Sequence, residues 1–352
     1  MDQLSLIFPS AGKTAFENRS IPELQPGECL VRNTHTMISP GTELALFTGS
    51  HIGFSDPEIS WARYPVVPGY AAIGEVVDRR SGSGPEEGTR VLYYGAHARY
   101  GVLNPAAMVW TTVPARTPQD DEGWSYLPLR FAQIALTAVI ARARESRHVL
   151  IYGAGIVGNL CAQLFGDVPG VERRAVADLS PARLAIAREC GISDVLQPED
   201  VPRWIDEATD GAGPDTVIEA TGAPAVVGEA LERVARGGQV VLLGSTRGTV
   251  ELNVYKHIHR KLVALIGSHE SLLPARSADD ASPDVRGSRG WLSAGSQQQA
   301  LSALATAVSA GTIHTRPLVQ EVIAPRDAQA AYEGLRDHPE KHLGVCIDWR
   351  ES

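Results

Sequence analysis

The chain has 352 residues, enough for two domains that each bury a core at roughly 100 to 200 residues per domain. Apolar residues make up 43% and charged residues 21%, and mean hydropathy is −0.09, which excludes a disordered, collagen-like or membrane-embedded chain. With 41 acidic against 32 basic residues the net charge is −9, which argues against nucleic acid as a partner, because gripping a phosphate backbone needs a clustered basic face.

The N-terminal stretch MDQLSLIFPSAGK lacks a basic region followed by a long apolar run, and no segment reaches the roughly 18 apolar residues of a membrane span, so the expectation is a cytoplasmic protein with no membrane partner. Only four of the basic residues are Lys, an Arg and Ala bias that suggests a bacterial origin. From the N-terminus to about residue 118 come short apolar runs broken by Gly and Pro: Glu28–Arg32, Ala72–Val77 and Thr89–Tyr94. This spacing predicts a β-rich, barrel-like unit. Cys29, Cys161, Cys190 and Cys346 are scattered, with no C-x-x-C pair, which disfavours a disulfide framework or a thiolate metal cluster.

The pattern changes near Gly123. Leu129, Ala132, Ile134, Ala135, Ala138 and Val139 recur at helical spacing, and an unbroken run follows at His148–Tyr152, the mark of a strand buried on both faces. Further runs lie at Ala175–Ala177, Thr216–Ala220 and Gln239–Leu243, with helical stretches Pro181–Cys190 and Ala225–Ala235 between them. Alternating strand and helix predicts an α/β fold with a doubly wound parallel sheet. A polar, turn-rich segment from Ser271 to Arg289 reads as a surface loop; a helix at Gln297–Ala310, an amphipathic one at Pro325–Arg336 and a strand at Leu343–Asp348 close the chain.

Gly153-Ala154-Gly155-Ile156-Val157-Gly158 is a G-x-G-x-x-G between the run ending at Tyr152 and a helix from Ile156 to Phe165. Gly153 permits the sharp turn, Gly155 admits a pyrophosphate to the backbone, and Gly158 lets the helix pack closely, while the helix N-terminus supplies amide donors. Asp178 stands 20 residues beyond Gly158 at the next strand end, where a carboxylate accepts hydrogen bonds from a ribose diol and repels a 2′-phosphate. NAD is therefore the expected cofactor. Leu179 offers nothing to a phosphate; Arg183, one turn into the next helix, either swings toward one or pairs with solvent or a carboxylate. Thr221 and Gly222, with Gly244, Ser245 and Thr246, follow later strands and are candidates for the nicotinamide half, or plain loop and cap residues.

Together with Ser39-Pro40-Gly41-Thr42-Glu43, Tyr64–Tyr70, Gly74–Val77, Asp178–Leu184 and Gly237–Gly244, the glycine loop resembles the medium-chain dehydrogenase/reductase superfamily over nearly the whole chain. Ser39–Glu43 and Tyr64–Gly74 are most similar to the bacteriochlorophyllide hydroxyethyl dehydrogenase group. The resemblance implies a GroES-like β-barrel catalytic domain from residues 1–122 and 283–352, a Rossmann domain from 123–282, and a homodimer or homotetramer. Zinc members carry a Cys near Ser39 or Pro40, a Gly-His-Glu at Gly69-Tyr70-Ala71 and a further Cys or acid ligand; none of those ligands is present, so no metal is expected.

Without zinc a side chain must handle the alcohol proton. Tyr70, at a ligand position, is a candidate or a packed tyrosine. His97 is a proton relay or an ordinary loop histidine. Thr42 and Glu43 match the segment that carries relay residues in zinc members, although Glu43 also suits a turn around Gly41. Thr137 reaches the nicotinamide or packs on its helix. The expected function is a zinc-independent, NAD-dependent oxidoreductase interconverting a secondary alcohol and a ketone, its partner a polyol, cyclitol, sugar or secondary metabolite. The alternatives are a zinc-free enoyl or quinone reductase using NADPH and a non-catalytic dinucleotide-binding protein.

Overall fold

The computed structural model describes residues 2–82, 84–114, 123–278, 280 and 289–350. The first part of the chain supplies β1 (Asp2–Ser10), β2 (Lys13–Ser20), β3 (Cys29–Met37), α1 (Thr42–Thr48), β4 (Ala72–Arg79), β5 (Arg90–Tyr93), β6 (Tyr100–Leu103) and β7 (Trp110–Thr112). The middle alternates helix and strand through α2 (Leu129–Ala141), β8 (His148–Tyr152), α3 (Ile156–Phe165), β9 (Arg173–Ala177), α4 (Pro181–Glu189), β10 (Asp194–Leu196), α5 (Val201–Thr209), β11 (Thr216–Glu219), α6 (Pro224–Arg233), β12 (Gln239–Leu242) and β13 (Ala264–Gly267). The last part adds α7 (Gln297–Ser309), β14 (Glu321–Ile323), α8 (Ala328–Asp337) and β15 (Val345–Asp348).

Six strands pair in the order β10-β9-β8-β11-β12-β13, all parallel. β11 is buried along its whole length and β8 along all but its first residue, which is why both read as unbroken apolar runs rather than as alternation. Chain order reverses between β8 and β11, so the crevice beyond their carboxyl ends is the switch point at which such sheets take ligands. The glycine loop follows β8, and Thr221-Gly222 follows β11.

The second sheet runs β14-β15-β3-β4-β5-β7, with β6 also on β3. β15 pairs antiparallel with β3 through Cys346↔Met37 and Ile347↔Thr36, so residues from both chain ends share one sheet. Its pairing does not close into a barrel among the described residues. The β1–β2 hairpin joins it through the bridges Ser5↔Ala98 and Phe8↔Val66. One core runs through both halves, taking Met37, Ile73 and Leu92 from the mixed sheet and Val149, Ile151 and Leu160 from the Rossmann half. The fold is the expected α/β pair of a GroES-like unit and a Rossmann sheet.

The apolar runs alone do not reveal the hairpin, α1, β10 or α5. In α5 the signal was present: Val201, Trp204 and Ile205 fall at i, i+3 and i+4 and are its buried residues. Residues 122, 282 and 283, where the domain limits were expected, lie outside the described residues. So does 281–288 of the expected surface loop, whose described part is held by Arg276 donating to the Met108 carbonyl at 3.0 Å. Cys29, Cys161, Cys190 and Cys346 are free and buried. Among the described residues no helix is long and apolar enough to cross a membrane.

Candidate active site

The three glycines of the loop do three different things. Gly153 holds φ +102°, open to glycine at little cost. A Cβ on Gly158 would stand 1.9 Å from the Gly153 carbonyl oxygen, so α3 packs against the turn only because no side chain is there. A Cβ on Gly155 would meet nothing within 4 Å. Gly155, Ile156 and Val157 line the cleft, and no side chain caps α3, which leaves first-turn N–H groups for an anion.

Asp178 sits beneath this loop. Its Oδ2 accepts the Ala154 N–H at 2.7 Å and its Oδ1 the Ser180 N–H at 2.8 Å, so the carboxylate ties the end of β9 to the glycine loop and keeps lone pairs for a ligand. Leu179 is 84% exposed and does not line the cleft. Arg183 does line it, donating to the Pro339 carbonyl at 2.6 Å and standing 3.9 Å from Asp178, so it is partnered within the protein rather than by solvent.

Thr221, Gly222, Gly244 and Ser245 line the same cleft. They are organised by Glu219, a fully buried carboxylate at the end of β11 that sequence reasoning read only as a strand residue. Its Oε1 accepts the N–H groups of Thr221 at 2.6 Å and Gly222 at 2.9 Å, and its main-chain oxygen accepts those of Leu243 at 2.8 Å and Gly244 at 2.7 Å. Thr246 does not line the cleft; its hydroxyl donates to the Gly244 carbonyl at 3.3 Å. Thr137 packs: it is buried, its hydroxyl on the Ile134 carbonyl at 2.6 Å and beside Ser268 at 2.7 Å, while Ile134 itself faces the cleft.

The opposite wall comes from the mixed-sheet unit. Ser39, Pro40, Gly41, Thr42 and Tyr70 line the cleft, whose volume is about 410 Å³. The Tyr70 hydroxyl donates to Ser39 Oγ at 2.5 Å. Burial pushes this phenol up to about 12, opposed mainly by the Arg130 guanidinium. Phe131 meets the Tyr70 ring edge-on at 6.0 Å. Arg247, from the loop after β12, donates to the Gly41 carbonyl at 2.6 Å and ties the two walls together.

Glu43 and His97 are brought together, but not into the cleft. His97 is wholly buried, with Nε2 2.8 Å from Glu43 Oε2 and Nδ1 2.7 Å from Thr36 Oγ1. Glu43 also accepts from the Tyr332 hydroxyl at 2.6 Å and from the Ser39 N–H at 3.2 Å. These residues form a buried network behind Ser39, joining α1, α8 and β3, and they hold the wall that presents Ser39 and Tyr70. His97 thus sits in the β5–β6 connection as a hydrogen-bonded histidine that does not line the cleft. Ahead of β13, Lys261 Nζ donates to the carbonyls of Leu231 at 2.8 Å and Glu232 at 2.7 Å, and Lys256 pairs with Glu232 at 3.4 Å, so both lysines are engaged at the end of α6. Among the described residues no group of three or more His, Cys, Asp or Glu side chains stands close enough to hold a metal ion.

The glycine-loop unit matches the zinc-binding dehydrogenase family over residues 157–279. The chain is 31% identical to 2-desacetyl-2-hydroxyethyl bacteriochlorophyllide A dehydrogenase of Cereibacter sphaeroides over 260 residues, 69% of this chain and 74% of that protein. It belongs to the medium-chain dehydrogenase/reductase family. L-threonine 3-dehydrogenase of Pyrococcus furiosus is 28% identical over 70% of this chain and 77% of its own. In three dimensions the chain is similar to an oxidoreductase/dehydrogenase of unknown specificity from Escherichia coli, with a TM-score of 0.78 and 20% identity over 99% of each chain. Its curated relatives are dehydrogenases, so an oxidoreductase activity is the functional statement the kinship supports. In this family member Ser39 and Tyr70 lie outside the matched segment, at the positions where the sequence resemblance puts zinc ligands.

Proposed function

We propose that this chain is a zinc-independent, NAD-dependent oxidoreductase that interconverts a secondary alcohol and a ketone, with Tyr70 handling the proton. The observation that carries this reading is the Tyr70–Ser39 hydroxyl pair at 2.5 Å, set in the cleft wall opposite the glycine loop. A catalytic zinc needs about three N, S or O protein ligands. Two hydroxyls already hydrogen-bonded to each other, one of them a phenol that burial keeps protonated, do not fit that role.

The residues present do fit a nicotinamide dinucleotide. Gly155 leaves room for a pyrophosphate against the α3 N-terminus, Asp178 keeps lone pairs for a ribose diol, and Thr221, Gly222, Gly244 and Ser245 form the floor at the switch point. Such a cofactor, when bound, accepts or supplies the hydride. Tyr70 gives its phenolic proton to the ketone oxygen in reduction and takes the alcohol proton in oxidation. The phenolic O–H turns from Ser39 Oγ to the ketone oxygen before its proton is passed on, and the Ser39 hydroxyl then rotates to donate to the phenolate, a change of hydroxyl orientation at fixed heavy atoms.

Two measurements test the cofactor and metal parts. Asp178→Asn, which keeps an acceptor for the Ala154 N–H but loses the charge, is expected to weaken NAD binding about tenfold and to relax discrimination against NADP, since a charge-assisted hydrogen bond contributes ~1.5–3 kcal/mol. Unchanged NAD and NADP affinities in calorimetric titrations overturn that assignment. Elemental analysis of the purified, active protein is expected to find no stoichiometric zinc, and one zinc per chain would refute the reading.

Turnover is tested with NAD and a panel of secondary alcohols that includes L-threonine, 2,3-butanediol, xylitol and cyclitols. One observation favours a second reading, the NADPH-dependent enoyl or quinone reductase: Arg183 lines the cleft and its buried Nε has no hydrogen-bond partner among the described residues. A strong NADPH preference would select it. Tight NAD binding with no hydride transfer across alcohols, ketones, enones and quinones would select a non-catalytic binding protein.

The reading also keeps the domain limits 1–122 with 283–352 and 123–282, supported by β15 pairing with β3, and a cytoplasmic setting, in keeping with four free cysteines. It includes a homo-oligomer, for which β13 offers an open edge strand flanked by the exposed Tyr255, Leu262 and Leu265.

A further inference from the structure

Arg130, at the start of α2, is an unusual arginine. It is only 4% exposed, and its Nε and Nη1 have no hydrogen-bond partner among the described residues. Its guanidinium carbon lies 4.9 Å from the centre of the Tyr70 ring and 4.0 Å from that of Tyr94, and Nη2 pairs with Glu270. Burying a guanidinium with two idle donors costs stability, and ring faces return only part of that cost. Glu270 neutralises it from one corner only, through a side chain that is 40% exposed to screening water. The remaining charge is directed at the two rings.

We propose that Arg130 is a positioning residue for proton transfer: its guanidinium over the Tyr70 ring stabilises the negative charge that Tyr70 carries once its proton has moved to the substrate oxygen. This inference rests on the proposed role of Tyr70. In the reduction direction the hydride forms the new C–H bond, the Tyr70 O–H bond breaks as the substrate O–H bond forms, and the phenolate remains between Arg130 and the Ser39 hydroxyl until solvent returns the proton. Oxidation is the reverse, with the phenolate taking the alcohol proton.

The groups around Tyr70 set the sign. Glu43, from α1, opposes the phenolate from behind Ser39, with His97 and the Tyr332 phenol of α8 bonded to its carboxylate. Tyr94, neutral and hydrogen-bonded to Gln133 at 3.0 Å, shares the guanidinium. Ser39 and Thr42 favour the phenolate by hydrogen bonding, and Arg130 favours it by charge.

The test places 3,5-difluorotyrosine, whose phenol titrates in the neutral range, at position 70 and follows its titration by fluorine NMR in the protein saturated with NAD. Arg130→Met is expected to raise that titration midpoint by about two pH units, the scale of a unit charge about 5 Å away at an effective dielectric near 20. Arg130→Lys is expected to shift it less. Glu270→Gln, a change at a partly exposed residue that leaves the arginine in place, is expected to move the midpoint down. The pH profile of alcohol oxidation by the unlabelled variants is expected to move in the same directions. An unmoved midpoint in both Arg130→Met and Glu270→Gln overturns the inference, and if Arg130→Met does not fold, Glu270→Gln decides alone. Full turnover by Tyr70→Phe would instead remove the proposed role of Tyr70, whatever the fluorine titration shows.

Discussion

Tyr70→Phe is expected to lower turnover by about 10²- to 10⁴-fold, the range for loss of a positioned acid–base group, with NAD affinity unchanged. The substitution removes one oxygen and leaves the ring in contact with Phe131 and Arg130, so the wall keeps its shape. A second signature is the pH dependence. Burial holds the Tyr70 phenol up near 12, so in the neutral range it is protonated and ready to donate, and the phenolate fraction rises tenfold with each pH unit. Alcohol oxidation by the parent protein should therefore climb through the alkaline range while ketone reduction stays level there. In Tyr70→Phe both profiles should be flat and low. Steady-state rates in both directions between neutral pH and the alkaline limit of the fold check this, and an unreduced Tyr70→Phe rate assigns the proton elsewhere.

Gly155→Val is expected to weaken NAD binding by 100-fold or more while leaving the melting temperature nearly unchanged. Gly155 has φ −63° and ψ 178°, which any residue adopts, and nothing stands within 4 Å of a Cβ there, so the apo fold accepts the side chain. The space it fills is the space a pyrophosphate needs against the backbone. Gly158→Ala makes the contrast, because its Cβ would sit 1.9 Å from the Gly153 carbonyl oxygen and force apart the turn and α3. That variant should lose cofactor binding together with stability, at about 1–3 kcal/mol for overpacking. Calorimetric titration and thermal melts on the two variants separate a blocked site from a broken one. Equal melting losses in both would overturn the role given to Gly155.

Much of the Rossmann half is legible in sequence because its signals are local. The apolar run and the glycines alone bound β8 at His148–Tyr152 and α3 at Ile156–Phe165, since a strand covered on both faces is continuously apolar and this tight turn into a helix needs glycine. Glu219 carried no such signal. A carboxylate inside a buried strand looks like an interruption until the loops after β11 and β12 are seen folding back onto it.

The mixed-sheet half shows the limit more sharply. Sequence marked Tyr70, Thr42, Glu43 and His97 as chemistry-bearing, but not which of them face a ligand, because a side chain at a strand end or in a first helical turn points inward or outward by tertiary packing. The structure put Tyr70 and Thr42 on the cleft wall and turned Glu43 and His97 into the buried network behind it. The contacts responsible are long-range: Tyr70 to Ser39 spans 31 positions, His97 to Glu43 54 and Tyr332 to Glu43 289. Arg130 and Arg247, which shape the site most among the residues that sequence reasoning passed over, look like ordinary basic residues in the linear chain.

The sequence by itself determined an acidic two-domain α/β chain with a dinucleotide loop and an acid at the next strand end, because glycine conformations, strand burial and helix starts are written within a few residues of one another. Only the tertiary structure decided which strands of the two chain ends pair, that two hydroxyls meet where the family resemblance puts zinc ligands, and that a buried arginine lies over one of them. Those pairings join residues distant in the chain, and packing alone brings them within reach.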